Sequence, residues 1–375
     1  MSSTRYTFEL WTKDGNRIAD ITALCHSRSY TITRNDAEDF SFDIDLFALE
    51  AYCASINENP LTFITPYETN VRIKRGDDYV LGGEVVDAPL QLGTDQTMSQ
   101  GQGSSGAQTF NPTITVTGKG YLNLFKARYV TNTYNGNERC FIARDLIART
   151  QAVPNGDVGV TMGPQQYDTG IEDTERSYSQ QNVATGIQNL TTLQDGTFDF
   201  AFGADKVFST YQMIGSPRTD LQLRWGDDQG NFSGMYLDRT ATSLYNEVIG
   251  VGDGFGADAL TTTQDDIESQ RNYYLRQDIK QYNGVTEQPT LDGNAARDLA
   301  LEKGLLQIPQ ITITSKELEG IPFLGIGDQI PLRFVNHPYL NPLSGTYRSD
   351  KMVVDIDDND FETITLYFDN YTLLG

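Results

Sequence analysis

A mainly β fold carrying small α+β insertions is what this sequence predicts, and three observations predict it. Apolar and polar residues alternate with period two along most of the chain. Aromatic residues suited to pleated surfaces are plentiful, with 20 Tyr and 18 Phe in 375 residues. Only three segments keep helical spacing, roughly 13% of the chain against an ordinary ~30–35% helix.

The first strand is Tyr6-Thr7-Phe8-Glu9-Leu10-Trp11, followed by the turn Lys13-Asp14-Gly15-Asn16 and the short strand Arg17-Ile18-Ala19-Asp20-Ile21. Phe40-Ser41-Phe42-Asp43-Ile44-Asp45-Leu46 alternates cleanly, as a half-buried strand requires, because successive side chains point to opposite faces. Similar stretches are Val71–Lys74, Ile114–Thr117, Phe198–Phe202, Leu221–Trp225, Ile311–Thr314 and Ile364–Phe368, separated by Gly- and Asp-rich turns. The first helical run opens at Asn137-Glu138, carries Phe141, Ile142, Leu146 and Ile147, and stops near Pro154. The second starts at Ser179 as an N-cap, sets Val183, Ile187 and Leu190 on one face, and ends at Asp195-Gly196. The third runs from about Gly293 to Leu306. Between Gly93 and Gln108 the chain is Gly-, Ser- and Gln-rich, which reads as an extended hairpin loop.

Composition excludes several functions. Lys and Arg number 28 against 51 Asp and Glu, a net charge of −23. An excess of that sign repels a phosphate backbone, so avid nucleic-acid binding is excluded. A 38% hydrophobic content is too high for a disordered chain. Cys25, Cys53 and Cys140 are sparse and unpaired in sequence, which argues against a disulfide framework and a zinc site and fits folding in a reducing cytoplasm. No signal core and no membrane-spanning segment is read from the sequence, so the sequons at Asn189, Asn231 and Asn370 are ascribed to chance.

No catalytic, cofactor-binding or metal residue is read from the sequence. Gly101-Gln102-Gly103-Ser104-Ser105-Gly106 matches a dinucleotide fingerprint, but no helix follows to hold a pyrophosphate. Gly252-Asp253-Gly254-Phe255-Gly256-Ala257 reads as a turn. The only histidines are His26 and His337; Cys25 and His26 are strand neighbours facing opposite ways, so they share no site. Asp355, Asp357 and Asn359 match the start of a calcium loop, which then fails at Asp360 and Leu366, leaving a polar hairpin turn. Glu172-Asp173-Thr174-Glu175 reads as a solvated loop before the Ser179 helix.

The order of elements is more informative than any motif. It takes in Arg28–Arg34, Phe40–Leu46, Val71-Arg72-Ile73, Leu81–Asp87 and Ile114–Tyr121, then Ala143–Ile147, Val183–Leu190 and Gly196–Phe200. Tyr245–Val248, Gly327–Leu332, Tyr347-Arg348 and the Val353–Phe368 hairpin complete it. Over roughly residues 28–368 this series resembles the hub proteins at the tail tip, or baseplate, of long-tailed bacteriophages, the family that also supplies the N-terminal part of tail-associated lysins. The resemblance implies two tail-tube-like β-barrels per chain. The first is expected over 1–119 and 198–242, with an inserted α+β domain over 120–197. The second is expected over 243–285 and 310–375, with a small helical insertion over 286–309. It further implies a non-enzymatic homotrimeric ring in the virion tail, made in the host cytoplasm. Its partners would be a distal tail or tail-tube protein, a tape-measure protein and tail-fibre or tip proteins, with DNA passing through the lumen without specific binding. No lysin domain is expected after the last strand. The alternative is a virion carbohydrate-binding or adhesion protein using Trp11 and Trp225.

Overall fold

The computed structural model describes residues 6–91, 112–193, 196–226, 230–254, 256–282, 285–304, 306–318 and 324–368. Strands hold 44% of the described residues and helices 23%, so the mainly β expectation holds while helix content exceeds the sequence reading. The loop expected at Gly93–Gln108, with the fingerprint match inside it, lies outside the described residues.

A fourteen-stranded sheet dominates. Its main path is fully antiparallel and runs Gly234–Thr240, Leu306–Thr314, Glu362–Phe368, Gly345–Ile356, Cys25–Thr33, Asp39–Asp45, Thr113–Gly120, Asp78–Asp87, Thr69–Arg75, Tyr6–Thr12, Arg17–Asp20. Leu90–Gln91 pairs with the free stretch of Thr113–Gly120. The long strand Gly345–Ile356 joins the two ends of the chain. Its first residues pair with Gln329–Leu332, and Lys351–Ile356 pair with Arg28–Thr33. Glycine permits the tightest crossings: a Cβ on Gly118 would lie 2.0 Å from the Phe40 ring, and one on Gly83 would lie 2.3 Å from the Lys119 carbonyl oxygen.

Alternation gives this sheet one apolar face. Tyr6, Phe8, Phe42, Val71 and Ile73 meet Leu332, Val354, Ile364 and Leu366 in a single contiguous core built from both ends of the chain. A helix absent from the sequence reading follows directly on Asp39–Asp45. Asp45 caps Leu46–Ile56 by accepting from the Ala48 amide at 2.9 Å, and Leu49 and Cys53 face inward.

Two further units branch from the sheet. In the first, helix Arg139–Gln151 is capped by Glu138, which accepts from the amides of Cys140 and Phe141 at 2.8 and 2.7 Å. Helix Val183–Thr191 is capped by Asn182 rather than Ser179, because Glu172–Asn182 is a strand paired with Tyr129–Glu138. The hairpin Asp199–Phe202 and Val207–Tyr211, expected with the first barrel, instead buries Phe200, Phe202 and Phe208 against Phe125, Leu146 and Ile187. The apolar side chains of that hairpin point into this unit's core, which therefore extends past residue 197. The second unit has a small core of its own. Glu247–Val251 is the central strand of a three-stranded sheet, antiparallel to Thr261–Asp265 and parallel to Gln277–Gln281. Helix Gln288–Glu302 covers one face through Ala295 and Leu299 on Val248. The segments expected as barrel (243–285) and insertion (286–309) thus share one small core.

Candidate functional site

Apart from His26, which meets the acidic turn at Asp358, the residues singled out for chemistry lie apart from one another and are occupied structurally. Cys25, Cys53 and Cys140 are free and buried, and burial pushes the Cys140 thiol up to about 12. Cys25 is buried and the adjacent His26 exposed, with His26 Nδ1 3.2 Å from the Asp358 carboxylate. His337 sits in a turn, where its carbonyl accepts from the amides of Leu340 and Asn341. Asp357 accepts from the amides of Asn359 and Phe361 at 2.8 and 2.9 Å, and Asp360 accepts from Arg28 at 2.8 Å, so the acidic turn is held by its own backbone and one arginine. Asp173 sits on a strand and pairs with Arg139 at 3.0 Å. Among the described residues, no group of three or more His, Cys, Asp or Glu side chains could hold a metal ion. The Arg72 guanidinium lies 3.8 Å from the Trp11 ring centroid, and Trp225 stacks on Phe232, so each ring already has a partner.

The surface that stands out is the other face of the large sheet. From Gly234–Thr240 across to Leu90–Gln91, eight adjacent strands turn their non-core side chains the same way. Register places Thr312 beside Thr365, Thr365 beside Val353, and Val353 beside Thr31. It continues with Thr31 beside Asp39, Ser41 beside Thr117 and Asp43 beside Thr115. All of these side chains are half-buried, as on an open sheet face. Among the described side chains hydroxyls dominate, and the carboxylates of Asp39, Asp43, Asp45 and Asp355 outnumber the lysines Lys119 and Lys351. Both lysines are engaged: Lys119 pairs with Asp39, and Lys351 lies 5.3 Å from the Tyr367 ring centroid. Thr115 donates to Asp43 at 2.7 Å, and the Thr312 and Thr365 hydroxyls lie 3.4 Å apart. At ~4.8 Å per strand the face is about 38 Å wide. It offers short polar groups without a row of free cations, so it has little to grip a polyanion with.

A second construction fixes this sheet to the first unit. Asp199 accepts from Asn35 Nδ2 at 2.8 Å, Arg34 Nη1 at 3.1 Å, the Ile214 amide at 2.8 Å, and Arg348. Burial alone would raise its pKa; the Ile214 amide and the guanidinium groups of Arg348 and Arg34 prevail and hold the carboxyl below its ordinary value. One carboxylate thereby ties the turn after Cys25–Thr33, the strand Gly345–Ile356 and the inserted unit together. Neither the Asp199 junction nor the shared polar face was visible to motif reasoning. The alternating stretches show that each strand has a polar side, while the neighbours that extend it lie hundreds of residues away.

No protein-family model and no curated protein sequence matches the chain. Solved structures do. The 43 kDa tail protein of prophage MuSo2 from Shewanella oneidensis aligns over 97% of this chain and 98% of that one, with a TM-score of 0.64 and 12% identity. A tail protein from Neisseria meningitidis MC58 aligns over 98% and 97%, with a TM-score of 0.61 and 12% identity. Prophage tail protein gp18 from Listeria monocytogenes EGD-e aligns over 98% and 96%, with a TM-score of 0.52 and 14% identity. Over nearly its whole length, the chain has the fold of phage tail proteins.

Proposed function

We propose that the chain is a structural, non-enzymatic hub of a phage tail tip, three copies of which close into a ring around the path of the genome. The observation that carries this reading is the hydroxyl- and carboxylate-lined face spanning eight contiguous strands. Each half of the strand path serves as one tube-like barrel. Three chains would contribute 24 strands, a circumference of about 115 Å and a backbone diameter of about 37 Å. Side chains of ~5 Å on each wall would leave roughly 27 Å, wide enough for a DNA duplex to slide without being held. The likeness to tail proteins supports the virion tail as the setting. A distal tail or tail-tube protein, the tape-measure protein and fibre or tip proteins are then the expected neighbours. Native mass across a concentration series tests the reading: a species at about three times 41.8 kDa is expected, and a monomer at every concentration would contradict a self-assembling ring.

A further inference from the structure

Among the described residues, the small unit around residues 244–304 is covered on one side only. Gly250 faces the helix, since a Cβ there would lie 3.3 Å from Ala295 Cβ, and Lys280 on the same side pairs with Glu302 of that helix at 2.5 Å. The opposite face is therefore defined by register. Ile249 stands between Thr263 and Ile279, Val251 between Thr261 and Gln281, and Glu247 between Asp265 and Gln277. Ile279 is 62% exposed at the middle of an edge strand, and Ile267 and Leu275 are also exposed. Tyr274, 87% exposed, has φ 60° and ψ 169°, a backbone region kept almost entirely for glycine. Asn246, fully buried, holds that strained turn by donating to the Tyr274 carbonyl at 2.7 Å and accepting from the Arg276 amide at 2.8 Å. A strained backbone thus fixes an aromatic side chain in solvent at the end of a sheet face on which Ile249, Val251 and Ile279 are the apolar residues and which no described residue covers.

Size and charge indicate what covers it. Three strands of five residues present a strip about 14 Å by 17 Å, the footprint of one helix of ~10 Å diameter. A helix laid on the open face would give this sheet a helix on each side, one of the stable layer arrangements. Residues 244–304 carry eleven acidic and five basic side chains, and Glu247 and Asp265 form one row of the face itself. The same unit of a second copy would bring its own acidic surface to the strip, like charge against like. We infer that the face formed by Glu247–Val251, Thr261–Asp265 and Gln277–Gln281 receives an amphipathic helix with a basic flank from a different protein, with Ile249, Ile279 and Tyr274 as its apolar anchors.

The test uses the purified full chain and a 14-residue Leu/Lys peptide of helical periodicity, with a benzophenone at the centre of its apolar side. Photo-crosslinks are expected on Ile249, Ile279, Tyr274 or Leu275. Ile279→Glu, an exposed position whose change leaves the core intact, should weaken binding at least tenfold, and a Leu/Glu peptide of the same pattern should not bind. Crosslinks elsewhere, equal binding of the acidic peptide, or no binding up to millimolar peptide would overturn the inference. So would self-association of the chain that Ile279→Glu abolishes, which would make the face a contact between copies. None of these readouts depends on the ring, so a failure here is separate from a failure of the hub reading.

Discussion

Arg75 donates from Nε to the Glu362 carboxylate at 2.9 Å, joining residues 287 apart in the interior of the large sheet. The Glu362 side chain is 2% exposed and that of Arg75 18%. The Tyr6 hydroxyl donates to the same carboxylate, and the Tyr30 hydroxyl lies 3.4 Å from that of Tyr6. Strands from both ends of the chain thus meet around one buried charge pair, and the Tyr6 hydroxyl gives the carboxylate a further donor.

Glu362→Ala should cost about 3–5 kcal/mol in urea unfolding, because it takes the buried carboxylate away from both the Arg75 guanidinium and the Tyr6 hydroxyl. Replacing the group together, with Tyr6→Phe, Arg75→Met and Glu362→Leu, should recover most of that loss. Equal destabilisation by the single and triple variants would show that the pair matters through shape alone.

Stability should respond to pH through Glu38. Burial, with Asp36 and Asp39 beside it, pushes this carboxyl from 4.5 up to about 7. The folded chain therefore holds the proton more tightly than the unfolded one. That contribution is complete below about pH 4.5 and is lost as pH rises through 7, and it is at most about 3 kcal/mol. Asp199, held low, acts in the opposite sense, and its contribution fades as pH falls below the ordinary carboxylate range. Glu38→Gln should flatten the fall in stability between pH 5 and 7.5, read by denaturant midpoints at each pH.

Charge on the polar face should govern contact with DNA. Ser41→Lys, Asp43→Lys and Thr365→Lys together change that face by four charges and leave the core untouched. The variant should bind duplex DNA in fluorescence anisotropy at 50 mM salt and lose it steeply by 200 mM, while the parent protein binds at neither.

The cap on helix Arg139–Gln151 is a local test of the first unit. Glu138 also accepts from the Thr169 amide at 2.9 Å, so Glu138→Ala leaves three amides without that acceptor. A loss of about 1–2 kcal/mol is expected by thermal unfolding.

Legibility followed the range of the forces involved. Phe40–Asp45 was readable because each side chain reports its own face. The helix at Leu46–Ile56 carried a signal too, a capping Asp45 with Leu46, Leu49 and Cys53 at helical spacing, but it abuts the strand without a turn residue to separate them. Phe198–Phe202 reads as a strand from its alternation, but alternation does not say which core receives the phenylalanines. The pairing of Lys351 with Thr33 builds the continuous polar face, and nothing near either residue encodes it. The resemblance in element order supplied the architecture that local pattern could not.

The most direct test of the central claim is an electron-microscopic reconstruction of the assembled chain. A threefold ring is predicted, with Ser41, Thr117 and Thr365 lining its central hole. A ring in which that sheet face points outward, or particles without a central hole, would contradict the account.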